Sequence, residues 1–517
     1  MKNIYKYATA LLSLLAITLF TPGCKKFLDE APSKTTALVV KTTDQLSALL
    51  NNGNGSSANG FYIEGNRTAI YSTDDNGLNA DLYDKGRGVF SAMAPILFSN
   101  WDTQFLPDDT RENFWSGEFR KIFVANLVLS SVDKVTGPDA EKAILKADAH
   151  FVRAYSYWVL ANTYCLPYTN ANKNEIGLPI KTSTSFEDPF ERQPLEKVYQ
   201  LIESDLAEAL KINVPLVQNG KARHWRASKA GVNAFAARYY LNLNNNAKAI
   251  EHANAALADY STLVDYNTEM SYGRDVNVTI NSGTPTAQNV VLKFPYTHDN
   301  QTDQTDMLGW KEFLYFRMLY NESFWFIPST DLLNLYDKTN DLRYQYHVVE
   351  GYSYDRGMTK PAYEYPGYIF FYKDRLPSGP TVAEVLLTKA EAQARANDAG
   401  GAMTTLNTLR AKRLKPGAWV NLTATGKDDA IKKVLEERRR EMPFTQRWFD
   451  IRRYNNNDDP NDDVLLSRTF YPYTASSVLF NEPVKTYSLP KNSRRFAAPI
   501  PRTEIISSNG AILQNSY

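Results

Sequence analysis

The stretch RASKAGVNAFAARYYLNLNNNAKAIEHANAALADY, residues 226–260, divides into two helical runs at Asn244–Asn246. A second stretch, TVAEVLLTKAEAQARANDAGGAMTTLNTLRAKRL at 381–414, divides the same way at Asn397–Gly400. With the turns aligned, Ala249 falls on Ala402, Ile250 on Met403 and Asn254 on Asn407. Alanine thus stands where two helices must approach closely, and the fold is predicted to be mainly α. Working outward, FWSGEFRKIFVANLVLSSVDKV carries Phe119, Ile122, Phe123, Leu127 and Leu129 as the apolar face of a helix that Gly137 and Pro138 end. A second helix is predicted from about Ala140 to Cys165, closed by Pro167. A third follows Pro194 with Val198, Ile202, Leu206 and Leu210 at four-residue spacing.

Each hairpin is a little over thirty residues long, close to the tetratricopeptide period of about 34. Tetratricopeptide-like hairpins are the expectation; two unrelated hairpins of similar length remain the alternative, because the signature tryptophan and proline of that repeat are missing. Such units need stacked neighbours. Over a hundred non-repeating residues separate these two, so helices distant in sequence must meet around an insertion. The helical parts are placed at about 115–260 and 380–455, the insertion at about 263–379. The insertion is rich in Gly, Pro, Asn, Asp and Tyr, with NVVLKFPY and YPGYIFFYK reading as short strands. Loop-rich segments on a rigid helical frame are where binding residues tend to lie.

Lys+Arg 58 against Asp+Glu 57 offers no strong field for nucleic acid. Cys24 and Cys165 are the two cysteines, and 32 Tyr supply flat apolar faces with polar tips. At the start of the chain, Lys2 and Lys6 precede an apolar run from Ala8 to Phe20, short for a membrane span and followed by Pro22 and Gly23. This is signal-peptide grammar, and the small residue before Cys24 resembles the bacterial lipoprotein signal, in which cleavage leaves an acylated cysteine as the first residue. Thr21 departs from the leucine usual three positions before that cysteine. The expected layout is a signal at 1–23 and one domain at 24–517, with Phe27–Thr36 as a tether and the Asn51–Gly60 patch as a surface loop.

Several segments together resemble the SusD/RagB family of lipidated nutrient-binding proteins of the Bacteroidetes outer membrane. They are GCKKFLDEAPSKTT, FWSGEFRKIFVAN, KADAHFVRAYSYWVLANTYCLPY, RASKAGVNAFAARYYL, TVAEVLLTKAEAQAR, EERRREMPFTQRWFDIRRYN and PIPRTEI, in order along nearly the whole chain. The resemblance implies a tetratricopeptide-like half, a variable ligand-binding half and a SusC-like TonB-dependent transporter as partner. It also implies a cell-surface lipoprotein that binds a nutrient glycan, with peptide binding of the RagB-like kind as the alternative.

In EERRREMPFTQRWFDIRRY, residues 436–454, Glu436, Glu437, Glu441 and Asp450 accompany the arginines. Buried ion pairing is the expectation, not a nucleic-acid surface. A helical glycoside hydrolase would need two carboxylates flanking a bond, and Asp74–Asp75, Asp108–Asp109 and Asp303–Asp306 read as solvated loop pairs. HExxH, GxSxG and GxxxxGK[ST] are absent from the sequence, and DNQTDQTD reads as a hydrated loop without the EF-hand pattern. No enzyme, cofactor or metal is expected.

The ligand site is expected in the insertion. GWKEFLYFRMLYNESFWF, residues 309–326, holds two of the eight tryptophans and more aromatic surface than one core face hides. Trp310, Tyr315 and Trp325 are the candidate stacking platform, with Asp74, Asp75 and Asn76 of YSTDDNG as hydrogen-bonding partners across the cleft. Phe313, Phe316, Leu319 and Trp325 as plain core is the competing reading.

Overall fold

The computed structural model describes residues 40–51, 61–85, 92–108, 110, 112–185, 187–280, 288–296, 307–322, 326–349, 366–370 and 374–517. Cys24, the tether, most of the Asn51–Gly60 loop, Asp109, the DNQTDQTD loop and Trp325 lie outside the described residues. Thr43–Tyr517 form one unit. Its main helices are α1 (Asn113–Ser131), α2 (Asp139–Tyr164), α3 (Leu195–Ala209), α4 (Lys229–Asn242), α5 (Asn246–Asp259), α6 (Val382–Arg395), α7 (Ala399–Arg410), α8 (Lys427–Glu441) and α9 (Arg447–Tyr454).

The two hairpins share their local chemistry position by position. Ser228 and Thr381 each cap the first helix, accepting from Gly231 N at 3.0 Å and Glu384 N at 3.2 Å. Asn244 and Asn397 each make the turn at positive φ, 57° and 68°, a conformation asparagine tolerates better than most residues. Asn245 and Asp398 then cap the second helix. Ala249 and Ala402 are both fully buried, as expected of close-approach positions. α5 packs directly on α6, so the hairpins meet despite the insertion between them. The shared core is alanine-rich, with Ala230, Ala234, Ala237, Ala253, Ala390 and Ala394 among Leu and Val side chains. Arg238 of α4 clamps Glu384 of α6 through Nε and Nη2, both at 2.6 Å.

The larger core surrounds α2, whose Phe151, Tyr155, Trp158 and Tyr164 are buried against Phe235, Trp115 and Phe449. Each such ring buried fully is worth about 1.5–3 kcal/mol. The charged groups beside this core pair with one another: Arg153 holds Asp205 with two bonds of 2.8 and 2.7 Å, and its Nη1 donates to Asn126 Oδ1 at 2.7 Å.

The insertion contributes several strands. β1 (Ile63–Glu64), from the N-terminal part, runs parallel to β4 (Met318–Tyr320), which pairs antiparallel with β5 (Arg375–Pro377); β2 (Ser271–Ile280) and β3 (Gln288–Tyr296) form a separate ribbon. The predicted NVVLKFPY strand is β3, whereas YPGYIFFYK contributes just the two-residue strand Gly367–Tyr368. Near the C-terminus, β6 (Leu466–Phe470) and β7 (Lys485–Leu489) form a hairpin whose alternate residues turn inward.

Candidate functional site

The sequence placed a stacking platform on Trp310 and Tyr315, and the structure buries both, each 1% exposed. Trp310 is enclosed by Tyr266, edge-on at 6.3 Å, and Phe370 at 4.9 Å. Tyr315 packs against Phe151 at 4.5 Å and Tyr155 at 5.5 Å, while its backbone passes so close to Gly379 that a Cβ there would strike the Tyr315 carbonyl. The apolar surplus of 309–326 is taken up by a third core, with Met307, Phe313, Phe316 and Met318 beside Tyr62 and Tyr346. Long-range partners that the local pattern does not reveal cover these rings. Phe313, Phe316 and Leu319 are core, as in the competing reading.

Asp74, Asp75 and Asn76 do converge, but on protein groups. Asp74 receives bonds of 2.7 Å from Arg447 Nε and Nη2, with Arg439 Nη2 at 3.2 Å. Burial pushes its carboxyl up, and the Arg447 and Arg439 charges outweigh that and hold it at about 2. Asp75, fully buried, accepts from Arg439 Nε at 2.6 Å and from Phe444 N at 2.9 Å. Phe444 sits at φ 64°, so Asp75 secures the strained turn between α8 and α9. Asn76 Nδ2 donates to Tyr71 O and Ser99 Oγ, both at 2.9 Å. These residues are a structural hub. Much of the rest of 436–454 pairs as expected: Arg453 takes Glu391 at 2.5 and 2.6 Å, Arg438 takes Asp450 at 2.7 Å, and Glu437 pairs with Arg343 and Arg410, whereas buried Arg452 donates to the backbone carbonyls of Phe496 and Cys165. Arg439 and Arg447 also line a cleft of about 550 Å³ with Leu335, Lys432, Glu436 and Asn461.

Beside this hub the β6–β7 hairpin presents an aromatic and polar face that sequence reasoning missed. Arg468 on β6 joins the two regions, donating from Nη2 to Thr73 O at 3.1 Å and standing 5.5 Å from the Trp101 ring. Tyr473, half-buried, stacks on Tyr487, which is itself buried in the larger core, with centroids 5.2 Å apart and planes 9° from parallel. The Tyr473 hydroxyl donates to Asp102 Oδ2 at 2.6 Å, and Asp102 Oδ1 accepts from Arg495 Nη1 at 3.0 Å. Tyr471 donates to Asp84 at 2.7 Å, and Tyr487 donates to Tyr471 O at 3.0 Å. Burial and the Asp102 charge drive the Tyr473 phenol far above its ordinary range, so it remains a donor, and burial pushes Tyr487 up to about 12. Trp101 holds Asp102 in place from an unusual backbone state, φ 58°, with its Nε1 donating to Ser72 O at 2.8 Å. A bulky residue there costs about 1–3 kcal/mol, strain of the sort found at functional sites. Phe105 and Phe480 add rings that are 58% and 42% exposed.

Flat rings next to fixed carboxylates and a guanidinium suit a ligand with apolar faces and hydroxyl edges. The sequence signal was the run TFYPYT at 469–474, three rings in four residues flanking Pro472. It went unread because β6 and β7 pair across fourteen intervening residues without a short hairpin turn. Among the described residues no group of three or more His, Cys, Asp and Glu is placed to hold a metal, and no helix is long and apolar enough to cross a membrane.

Two family models match the sequence: one described as starch-binding associating with outer membrane, over residues 26–241, and one described as SusD family, over 382–517. No curated protein matches it. Solved structures share the fold. A SusD superfamily protein from Bacteroides thetaiotaomicron is 17% identical with TM-score 0.59, covering 92% of this chain and 100% of its own. A SusD-like carbohydrate binding protein from Bacteroides vulgatus is 17% identical with TM-score 0.55, covering 91% and 97%. Surface glycan-binding protein A from Bacteroides uniformis is 15% identical with TM-score 0.58, covering 92% and 99%.

Proposed function

The chain belongs to the SusD/RagB family, and from that premise we propose that it is a cell-surface lipoprotein which binds a nutrient glycan and passes it to a SusC-like TonB-dependent outer-membrane transporter. The observation that carries the glycan reading is the half-buried Tyr473 ring, stacked on the buried Tyr487 and set among Asp84, Asp102 and Arg495 with exposed Phe105 nearby. Sugar rings have an apolar face for tyrosine and hydroxyl edges for carboxylate and guanidinium. Binding here needs no bond-breaking group: Asp102 and Asp84 are occupied by tyrosine hydroxyls, which orients them as acceptors. Acylation of Cys24 after removal of residues 1–23 would tether the domain to the membrane, several acyl chains being ample for stable anchoring.

The test is isothermal titration of residues 25–517 against a panel of polysaccharides and peptides, alongside Tyr473→Ala. At least one glycan should bind, and the substitution should weaken it by about 1–3 kcal/mol, the scale of ring stacking on alanine truncation. Peptide binding with no glycan binding would replace this reading by a RagB-like one.

A further inference from the structure

A second groove runs along α1 and shares no lining residue with the tyrosine face. Phe119 and Phe123 stand one turn apart there, facing Phe190, Lys181 and Glu504, around a space of about 250 Å³. Phe123 and Phe190 are 37% and 39% exposed, while Phe119 is backed by Trp115 at 4.9 Å. The loop that carries Lys181 and Phe190 is fixed from beneath. Asn126, 1% exposed, donates from Nδ2 to Lys181 O and Ser183 O, both at 3.0 Å, and Tyr157 OH accepts from Lys181 N at 2.7 Å. Asn126 is in turn held by Arg153, so the groove is set before any ligand arrives. Lys181 Nζ lies 3.8 Å from the Phe190 centroid, which covers one face of that ring. Among the described residues the half-buried Glu504 carboxylate has no hydrogen-bond or ion-pair partner, and burial pushes its pKa up.

We infer that this groove is a second sugar subsite, taking one pyranose ring of the glycan. The inference rests on the glycan reading above. One lysine and one glutamate leave the lining with no net charge, which fits a neutral ligand, and together they supply a donor and an acceptor for adjacent hydroxyls. The rings supply apolar faces. The space is below the roughly 300–1,000 Å³ typical of pockets for drug-sized ligands, and so is on the scale of a single ring.

Titration with short oligosaccharides separates the two sites. Residues 25–517 are titrated with maltotriose, cellotriose, xylotriose and chitotriose, then repeated with Phe123→Ala/Phe190→Ala and with Tyr473→Ala, each variant checked for an unchanged melting temperature. The expected result is two molecules of the same trisaccharide per chain for the wild type and one for each variant. Glu504→Ala should weaken the remaining step of Tyr473→Ala by about tenfold. Unchanged stoichiometry in Phe123→Ala/Phe190→Ala, with Tyr473→Ala losing one site or all, overturns the subsite and leaves the glycan reading standing. Failure of the wild type to bind any trisaccharide or any panel glycan overturns both.

Discussion

Glu384→Gln removes the negative charge that faces the Arg238 guanidinium at the junction of the two helical hairpins. The side chains are 4% and 3% exposed, and both contacts are 2.6 Å. What remains for Arg238 is the Tyr155 hydroxyl at 3.3 Å and the Ser378 carbonyl at 3.1 Å, neutral dipoles that leave most of the charge uncompensated. Breaking a buried pair from one side costs about 3–5 kcal/mol. Glutamine keeps one acceptor, which places Glu384→Gln near the lower end and Glu384→Leu near the upper. Arg238→Met/Glu384→Leu removes both charges at similar volume; it takes a donor from the Tyr155 hydroxyl, which costs about 1–3 kcal/mol, while the Ser378 carbonyl keeps Gln446 Nε2 at 3.1 Å. The double variant should therefore be more stable than Glu384→Leu alone. Urea unfolding at pH 7, followed by far-ultraviolet circular dichroism, gives the four free energies of the cycle. Strict additivity of the two single losses would refute the argument, because it would mean that neither charge depends on the other.

Asp74, held at about 2 in the fold against about 3.9 when unfolded, contributes stability that is whole above pH 4–5 and is lost as pH falls toward 2. The amount is about 2 kcal/mol. Asp74→Asn should flatten the fall of the urea midpoint between pH 4.5 and 2.5; parallel curves for variant and wild type would show that the Arg447 pair carries no such linkage. Trp310→Ala should cost about 3–5 kcal/mol of stability and leave glycan affinity unchanged at temperatures where the variant is folded. A lost affinity in a fully folded variant would return Trp310 to the binding surface.

The helical frame was legible in the sequence because its determinants are local. Capping residues, apolar spacing and the asparagine turns act within one or two turns of chain, and the match of Ser228 with Thr381 and Asn244 with Asn397 follows from reading the two hairpins side by side. Ion pairing in 436–454 was legible for a related reason: arginines accompanied by carboxylates on core helices have to find charged partners. The exposure of the aromatic rings was not legible. Whether Trp310 is a platform or a core residue depends on Tyr266 and Phe370, which reach it from 44 residues before and 60 after, and neither neighbour leaves a mark on the sequence around it. Asp74 looked like a solvated loop acid until Arg447, 373 residues along the chain, closed on it. Sequence thus determined which segments become helices and that two of them are built alike; tertiary structure alone decided which aromatic rings keep a face toward water, because exposure is what remains after every distant segment has packed.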